Sequence, residues 1–530
     1  MATAKGASIL NAILGRDTNM RPALKVLDGQ NYDVVVIGAG AVGCSSAQHL
    51  AALGYKVLLL DKSDIASGTS SRSSRLLYCG LAYFSPDFPL WQYILHPREL
   101  FQRVKTARLA MRCRTELVKT MPERLRHATF FFPVFRGGAF PGWKVDLGYR
   151  ALGLFGSRDA PLAYRRLSAE KAAEEFPMID YMDRSRLTST AVFREYSYFW
   201  PERILSDTAL DAERLGATLR TYCAVKNLRH DKDTGWTLDL EESAPGESGT
   251  AQVQCQMVIN AAGPWIDRII GRVSNQARRR LTGLKGVNLL VRLPDVFKGH
   301  GLETISSLKH PFYMFPWGDH HYFGPTDTVF EDDPDTVRVK PDEVAYLLGE
   351  ANRLFPSLNL TEKDVVYRWS GVRPRTNSGN LSGSKALTVH DLAEDGLPNM
   401  LAVTGTPIMV HRHAGREIAK RVKKRLRPTG APQALSYTAR LMPAEIRTES
   451  GVSEAEILHA VRTEHVVTLT DLIMRRLPTG WEPDMGLDEA ERICAIAAPE
   501  LNWSPARQKQ ECEAYRAQCL DNFEPRQSGD

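Results

Sequence analysis

Three glycines, Gly38, Gly40 and Gly43, stand in a GxGxxG spacing directly after the apolar, β-branched run Tyr32–Ile37. At that spacing the first glycine permits a tight turn. The second lets a pyrophosphate approach the backbone, and the third lets a helix pack on the strand. The first N–H groups of that helix, at Ala41 and Val42, and its dipole then face the phosphates. Asp61 lies 23 residues after Gly38, where a carboxylate takes the hydroxyls of an adenosine ribose, and Lys62 follows it. A glycine turn alone is weak evidence. Strand, turn, helix, second strand and acid in the right order are specific for dinucleotide binding.

A hydroxyl-rich stretch, Ser67–Arg75, comes next. Its Gly68, Thr69, Ser70 and Ser73 are small donors suited to a second phosphate and a ribityl chain, which points to FAD rather than NAD. The segment Val258–Gly263 reads as a distant strand whose end, Ala262 and Gly263, closes over the adenosine side. Val225, Gly405 and Thr406, each at the end of a short strand-like run, complete the candidate cofactor contacts. For substrate chemistry, Arg373 is the candidate anchor of an oxyanion or carboxylate, although such an arginine can equally pair with a neighbouring acid. Tyr78 and His411 are the candidate bases. His411, Arg412 and His413 form either a cationic trio at the flavin end or simply a polar helix start.

The elements that must position these residues follow from periodicity. Cys44–Leu53 reads as a helix ended by Gly54, and Lys56–Leu60 as a second buried parallel strand. Pro97–Met121, Ile204–Leu215 and His413–Leu426 read as helices. Thr218–Val225, Trp236–Leu240, Leu284–Asp327, Val365–Val372 and Leu401–Val403 carry strand signals. Such βα units interleaved with antiparallel material imply a discontinuous nucleotide domain with a second domain inserted into it. After the Pro/Gly link Pro428–Pro432, Glu454–Arg476 and Asp488–Ala497 have helical periodicity and no strand signal appears.

The expected fold is therefore α/β and α+β: a Rossmann-like FAD-binding domain, an inserted antiparallel-sheet substrate domain and an all-α C-terminal domain. The expected boundaries are 1–30 for an N-terminal extension and about 31–105, 205–280 and 368–427 for FAD binding. The substrate domain takes about 106–204 and 281–367, and the helical domain 428–530. A chain of 530 residues suits two to four domains at roughly 150 residues each. The net charge of +6 is too small, and too little interleaved with aromatics, to point to nucleic acid. No apolar run has membrane-spanning length. The eight cysteines form no CxxC pair and no zinc spacing, so no metal and a reduced cytoplasmic setting are expected.

Longer motifs carry a family resemblance. SGTSSRSSRLLYCGLAYF within Lys62–Phe84, NAAGPW at Asn260–Trp265, LKGVNLLV at Leu284–Val291, FGPTD at Phe323–Asp327 and SGVRP at Ser370–Pro374 resemble FAD-dependent glycerol-3-phosphate dehydrogenases. Ser453–Arg476 resembles the helical C-terminal domain of that family's aerobic type. The wider class is that of D-amino-acid-oxidase-type flavoproteins. The resemblance implies hydride transfer from a CH–OH carbon to the flavin N5, with glycerol 3-phosphate or a related polyol phosphate as substrate. It also implies a quinone acceptor at a membrane surface, contacted peripherally. Oxygen as acceptor and a homodimer are carried as further partners.

The chain departs from that pattern where substrate is held. The family's HGG-L/V-RY is here Tyr78–Tyr83, so a His has become Tyr78 and an Arg Ala82. Its KGSH ends in Asn288, and its GGKLTTYR has Pro407 in place of Lys. Tyr83, Arg373 and Arg412 keep the family's residue, and Lys385 is aligned with a further phosphate-binding Arg. Two lost cations weaken a phosphate site by on the order of 2–5 kcal/mol for each buried contact. That leaves a second reading, oxidation of an amino acid, hydroxy acid or specialised metabolite. A third is a flavin-binding protein without turnover.

Overall fold

The computed structural model describes residues 21–78, 97–138, 140–156, 159–274, 277–379, 384–437, 447–448 and 451–525. The GxGxxG unit forms as its sequence demands. The strand Asn31–Ile37 runs into the glycine turn, the helix Ala41–Ala52 follows, and Val57–Leu60 pairs parallel to the first strand with Val34 beside Val57. Gly54, at φ +88°, takes the left-handed position that ends the helix. The nucleotide sheet continues on both sides. Its order is Thr388–Asp391, Met400–Thr404, Thr250–Asn260, Asn31–Ile37, Val57–Leu60, Thr218–Arg220, and all but the first of these strands are parallel. Such strands are buried on both faces, and Val34, Val35, Val36, Leu58, Leu59 and Leu60 have no solvent exposure. Helices Ala41–Ala52, Pro201–Arg214 and His411–Lys423 cover one face. A meander of Cys223–Asp231 and Gly235–Glu242, paired onto Thr250–Asn260, covers the other.

The second sheet is largely antiparallel. Leu281–Val291 pairs along its length with Val365–Thr376 and, on its other edge, with Thr328–Val329 and His320–Gly324. Pro311–Trp317, His300–Ile305, Leu125–Phe135, Leu187–Tyr198 and Arg165–Ser168 continue the sheet. One junction, His300–Ile305 against Leu125–Phe135, is parallel. Helix Pro341–Leu354 packs on one face of this sheet, and the C-terminal helices pack on the other around Tyr367, Trp369 and Trp481. Val365–Thr376 thus lies in the substrate sheet, not in the nucleotide domain expected from residue 368. The sequence run is apolar either way; only the pairing partner decides.

Among its described residues, the only strands of the C-terminal region form a two-residue ladder, Arg447–Thr448 with Gly451–Val452; its other regular elements are helical. The helical stretch 454–476 forms in segments rather than as one rod. Glu454–Thr463 ends, and Thr468 caps a new turn by accepting from the Asp471 N–H before Leu472–Arg476 winds as a π-turn. Among the described residues, no helix is long and apolar enough to cross a membrane.

Candidate active site

The carboxyl ends of the parallel strands, at Ile37, Asp61, Ala261 and Thr404, open into one cavity of about 1020 Å³. Ligands of open α/β sheets bind at such ends. The first wall is the glycine turn. A Cβ on Gly38, at φ +106°, would sit 2.6 Å from the Ala261 carbonyl, and one on Gly43 would sit 1.7 Å from the Gly38 carbonyl. Gly43 therefore lies behind the wall and lets the helix approach, while Gly38, Gly40, Ala41 and Val42 line it. No side chain caps the helix at Gly40, and the Ala41 N–H donates to Ser70 Oγ at 3.1 Å.

Asp61 accepts the Ala39 N–H at 2.7 Å and the Ser63 N–H at 2.8 Å, which pins its carboxylate at the cavity edge. Burial raises its pKa above the usual value, and the two backbone donors pull in the opposite direction. Lys62 lies over the Trp265 ring at 4.4 Å and pairs with Asp335 at 3.0 Å. Gly68 also packs on Trp265, where a Cβ would be 3.1 Å from the ring. Thr69 donates to the Val372 carbonyl at 2.7 Å, tying the hydroxyl loop to the substrate sheet. Ser70, Ser73, Val225, Ala262, Gly263, Gly405 and Thr406 line the same cavity.

These residues fit FAD. The volume stands at the top of the roughly 300–1,000 Å³ range of ligand pockets. The cradle at Gly38–Gly43 excludes side chains, and Gly40 brings no capping side chain to the helix start. The indole N–H of Trp265, which lines the cavity, is buried without a hydrogen-bond partner.

The other end of the cavity belongs to the substrate sheet. Gly286 lies under the Arg373 guanidinium, where a Cβ would meet Nη2 at 2.2 Å. Arg373 reaches Asp327 Oδ1 at 3.0 Å and donates to the Thr326 carbonyl at 2.6 Å. Arg375 donates to both oxygens of Asp327 at 3.0 Å. His310 Nδ1 stands 4.0 Å from Asp327 Oδ2. Burial pushes the Asp327 carboxyl up, but Arg373, Arg375 and Lys385 together hold it below the usual range. Lys385 keeps accessible surface, yet its ammonium is crowded by protein. That loss of water, then Arg375 and Arg373, brings its pKa down to about 8. One carboxylate thus serves three cations, leaving about two positive charges at the cavity wall. Asp327, Arg375 and His310 were not singled out in the sequence. They lie up to 65 residues from one another, and strand pairing gathers them: Asp327 and Arg375 through Leu281–Val291, and His310 through Pro311–Trp317 one strand further on.

Two sequence expectations fail here. His411 is fully buried; its Nδ1–H donates to the Ile408 carbonyl at 2.7 Å, and it does not line the cavity. Burial, then Arg412, lowers its pKa to about 3, so it is a neutral packing group and not the base. Arg412 is also off the cavity. It donates to Thr120 Oγ1 and lies over the Tyr437 ring at 4.2 Å, bracing helix Pro97–Thr120. Only the third member of that trio, His413, reaches the cavity. Tyr78 does line the cavity, but its hydroxyl donates to Glu303 Oε1 at 2.8 Å. Burial and the Glu303 charge raise its pKa far above 10, so it carries its proton and is no simple base. Tyr83 lies outside the described residues. Pro407 lines the wall where the resemblance has Lys, and Asn288 lines it where the resemblance has His.

A parallel nucleotide sheet, a glycine cradle and a substrate sheet roofing one cavity define a two-domain flavoprotein. A family model described as FAD dependent oxidoreductase (DAO) matches residues 33–421, and one described as the C-terminal domain of alpha-glycerophosphate oxidase matches 418–508. The chain belongs to the DAO family and is an FAD-dependent oxidoreductase of the glycerol-3-phosphate dehydrogenase-like type. A glycerol-3-phosphate dehydrogenase of Synechocystis is 28% identical over 416 residues, covering 76% of this chain and 71% of the relative. A D-erythritol 1-phosphate dehydrogenase of Brucella abortus is 29% identical over 405 residues, covering 75% and 74%. The structure of glycerol-3-phosphate dehydrogenase from Bacillus halodurans complexed with FAD superposes with a TM-score of 0.70 at 18% identity, covering 94% of this chain and 96% of that one. It has the same fold.

Proposed function

We propose that the protein oxidises a polyol phosphate at a CH–OH carbon. The observation that carries this reading is the cluster of Arg373, Arg375 and Lys385 around the single Asp327 on the cavity wall. A phosphate dianion balances the excess of about two charges, and guanidinium groups suit its geometry. The relatives named for glycerol 3-phosphate and D-erythritol 1-phosphate support this class of substrate. FAD, when bound, supplies the two-electron acceptor. The protein's own part is to anchor the phosphate at Arg373 and Lys385, to hold the carbinol end against Tyr78 and Asn288, and to exclude bulk water between the two sheets.

Pro407 favours a second reading. With Lys absent there, a monoanionic carboxylate matched by Arg373 alone becomes a workable ligand, as in a hydroxy acid or amino acid. Anaerobic mixing of the FAD-loaded protein with a panel separates the two. Polyol phosphates are expected to bleach the flavin absorbance, and their dephosphorylated counterparts, hydroxy acids and amino acids are not. Bleaching by a carboxylate substrate alone contradicts the first reading. Readmitting air, or adding a short-chain quinone, then tells which of the two candidate acceptors reoxidises the flavin.

A further inference from the structure

The strand Leu281–Val291 alternates between two surroundings, as a period of two requires. Lys285 pairs with Glu343 of helix Pro341–Leu354, and Val287 and Leu289 pack in the core under that helix. Gly286 and Asn288 face the other way and line the cavity. Gly286 has no side chain, and Arg373 Nη2 fills the space that a Cβ would take. The guanidinium is fixed there by Asp327 at 3.0 Å and the Thr326 carbonyl at 2.6 Å. Asn288 stands two residues further along the same face, about 7 Å from Gly286. It is 2% exposed, and its Oδ1 is buried without a hydrogen-bond partner. A Cβ on Gly324, at the end of the neighbouring strand His320–Gly324, would collide with that oxygen, so a glycine makes room for the amide. Leaving a buried amide oxygen unpaired is unfavourable, and one in a cavity wall marks a place for a hydrogen bond from a ligand.

We infer that Asn288 is a specificity residue of this site: its carboxamide takes the hydroxyl at the far end of the substrate chain, at a distance from the phosphate on Arg373 that the strand sets. With the phosphate over Gly286 and the hydroxyl at Asn288, the span is about 7 Å. At about 1.5 Å per carbon–carbon bond, three or four carbons join two such ends. A hydroxyl suits an amide because it both donates and accepts, so Oδ1 and Nδ2 match it in either orientation of the group. A methyl group in the same place leaves the amide unpaired, and a site built to bind a hydroxyl rejects the analogue that lacks it. This gauge deepens the polyol phosphate reading and rests on it, since the phosphate on Arg373 is the end from which the chain is measured.

Two pairs of compounds test it through the second-order rate of flavin reduction in the FAD-loaded protein without air. One pair is glycerol 3-phosphate and propane-1,2-diol 1-phosphate; the other is erythritol 1-phosphate and its 4-deoxy counterpart. The second member of each pair lacks only the terminal hydroxyl. In at least one pair the hydroxylated member is expected to react at least about 10-fold faster with the wild type. Asn288→Leu, similar in volume but apolar, is expected to bring that ratio close to one by slowing the hydroxylated member, with the flavin content of the wild type. Asn288→Ala is expected to do the same and covers the case of a leucine variant that fails to fold. A merely structural role would slow both members alike and keep the ratio. Equal rates within both pairs in the wild type, or an unchanged ratio in a folded variant, overturns the gauge and leaves the substrate reading standing. Reduction by none of the four phosphorylated compounds contradicts the substrate reading itself, and the gauge falls with it.

Discussion

At the residue scale, the contacts that matter are made by groups without freedom to move. Gly43 has a Cβ position 1.7 Å from the Gly38 carbonyl, and backbone cannot give by that much. Overpacking of this kind costs about 1–3 kcal/mol. Gly43→Ala is therefore expected to lower the thermal midpoint and to yield protein depleted of FAD, read by absorbance after purification. Lys385 makes a pH prediction. In the proposed reading its charge helps hold the phosphate, and that charge is lost as pH rises through about 8. The KM for a polyol phosphate is expected to rise above that pH, and Lys385→Met is expected to have a higher KM with no such rise. Arg373→Ala removes a charge-assisted donor, and kcat/KM is expected to fall by the equivalent of about 2–5 kcal/mol. The glycine turn was legible in the sequence because every part of it is local. The cluster at Asp327 was not, because its members share no spacing and meet only through strand register. The trio His411–His413 misled for a related reason: the chain marks a polar helix start, but the neighbouring Ile408 carbonyl and Tyr437 ring turn two of the three inward.

At the element scale, the cofactor loop is held from behind by the C-terminal region. Arg475 and Arg476, in the π-turn Leu472–Arg476, reach Asp64 at 2.6 Å, three residues from Asp61. Arg75, at the far end of the hydroxyl loop, lies 3.6 Å from the Trp481 ring centroid and pairs with Glu202 at 3.1 Å. Tyr222, beside the cavity-lining Cys223 and Ala224, donates to Asp471 at 2.7 Å. π-turns are frequent at functional sites, and this one delivers two consecutive arginines to one carboxylate. Burial raises the Asp64 carboxyl, but Arg476 and Arg475 outweigh it and hold it below the usual range. A depressed folded value gives stability that is present above the unfolded pKa of about 3.9 and is lost as pH falls towards the folded one. Asp64→Asn, which strands buried arginine charge, is expected to cost about 3–5 kcal/mol and to speed FAD release, followed by the rise of free-flavin fluorescence. Its thermal midpoint is expected to fall less between pH 5 and about 3 than that of the wild type. Helical periodicity over 454–476 marks helical structure but not its division into segments. The break at Thr468 reflects a capping box in the sequence, Thr468 with Asp471, that periodicity alone overrides.

At the scale of the whole molecule, two sheets enclose one cavity, and each contributes one half of the chemistry. The nucleotide sheet gives a fixed cradle that accepts FAD, and the substrate sheet gives charge and hydroxyl contacts. The alternation of βα units with antiparallel runs made this division readable from the chain. Assignment of Val365–Thr376 was not readable, since an apolar strand carries no mark of its partner. The division also matches the sequence motifs: the family pattern is kept at the glycine cradle, which is set by backbone, and altered at Tyr78, Asn288 and Pro407, on a wall set by side chains. The charge at Arg373, Arg375 and Lys385 is proposed to select a phosphorylated polyol. Its most direct test is an anaerobic titration of the FAD-loaded protein with a polyol phosphate and with the same polyol lacking the phosphate. Full bleaching of the flavin by the phosphorylated compound is expected, with an at least about 100-fold weaker response to the other, a difference that Arg373→Ala largely removes. Equal bleaching by both compounds would contradict it.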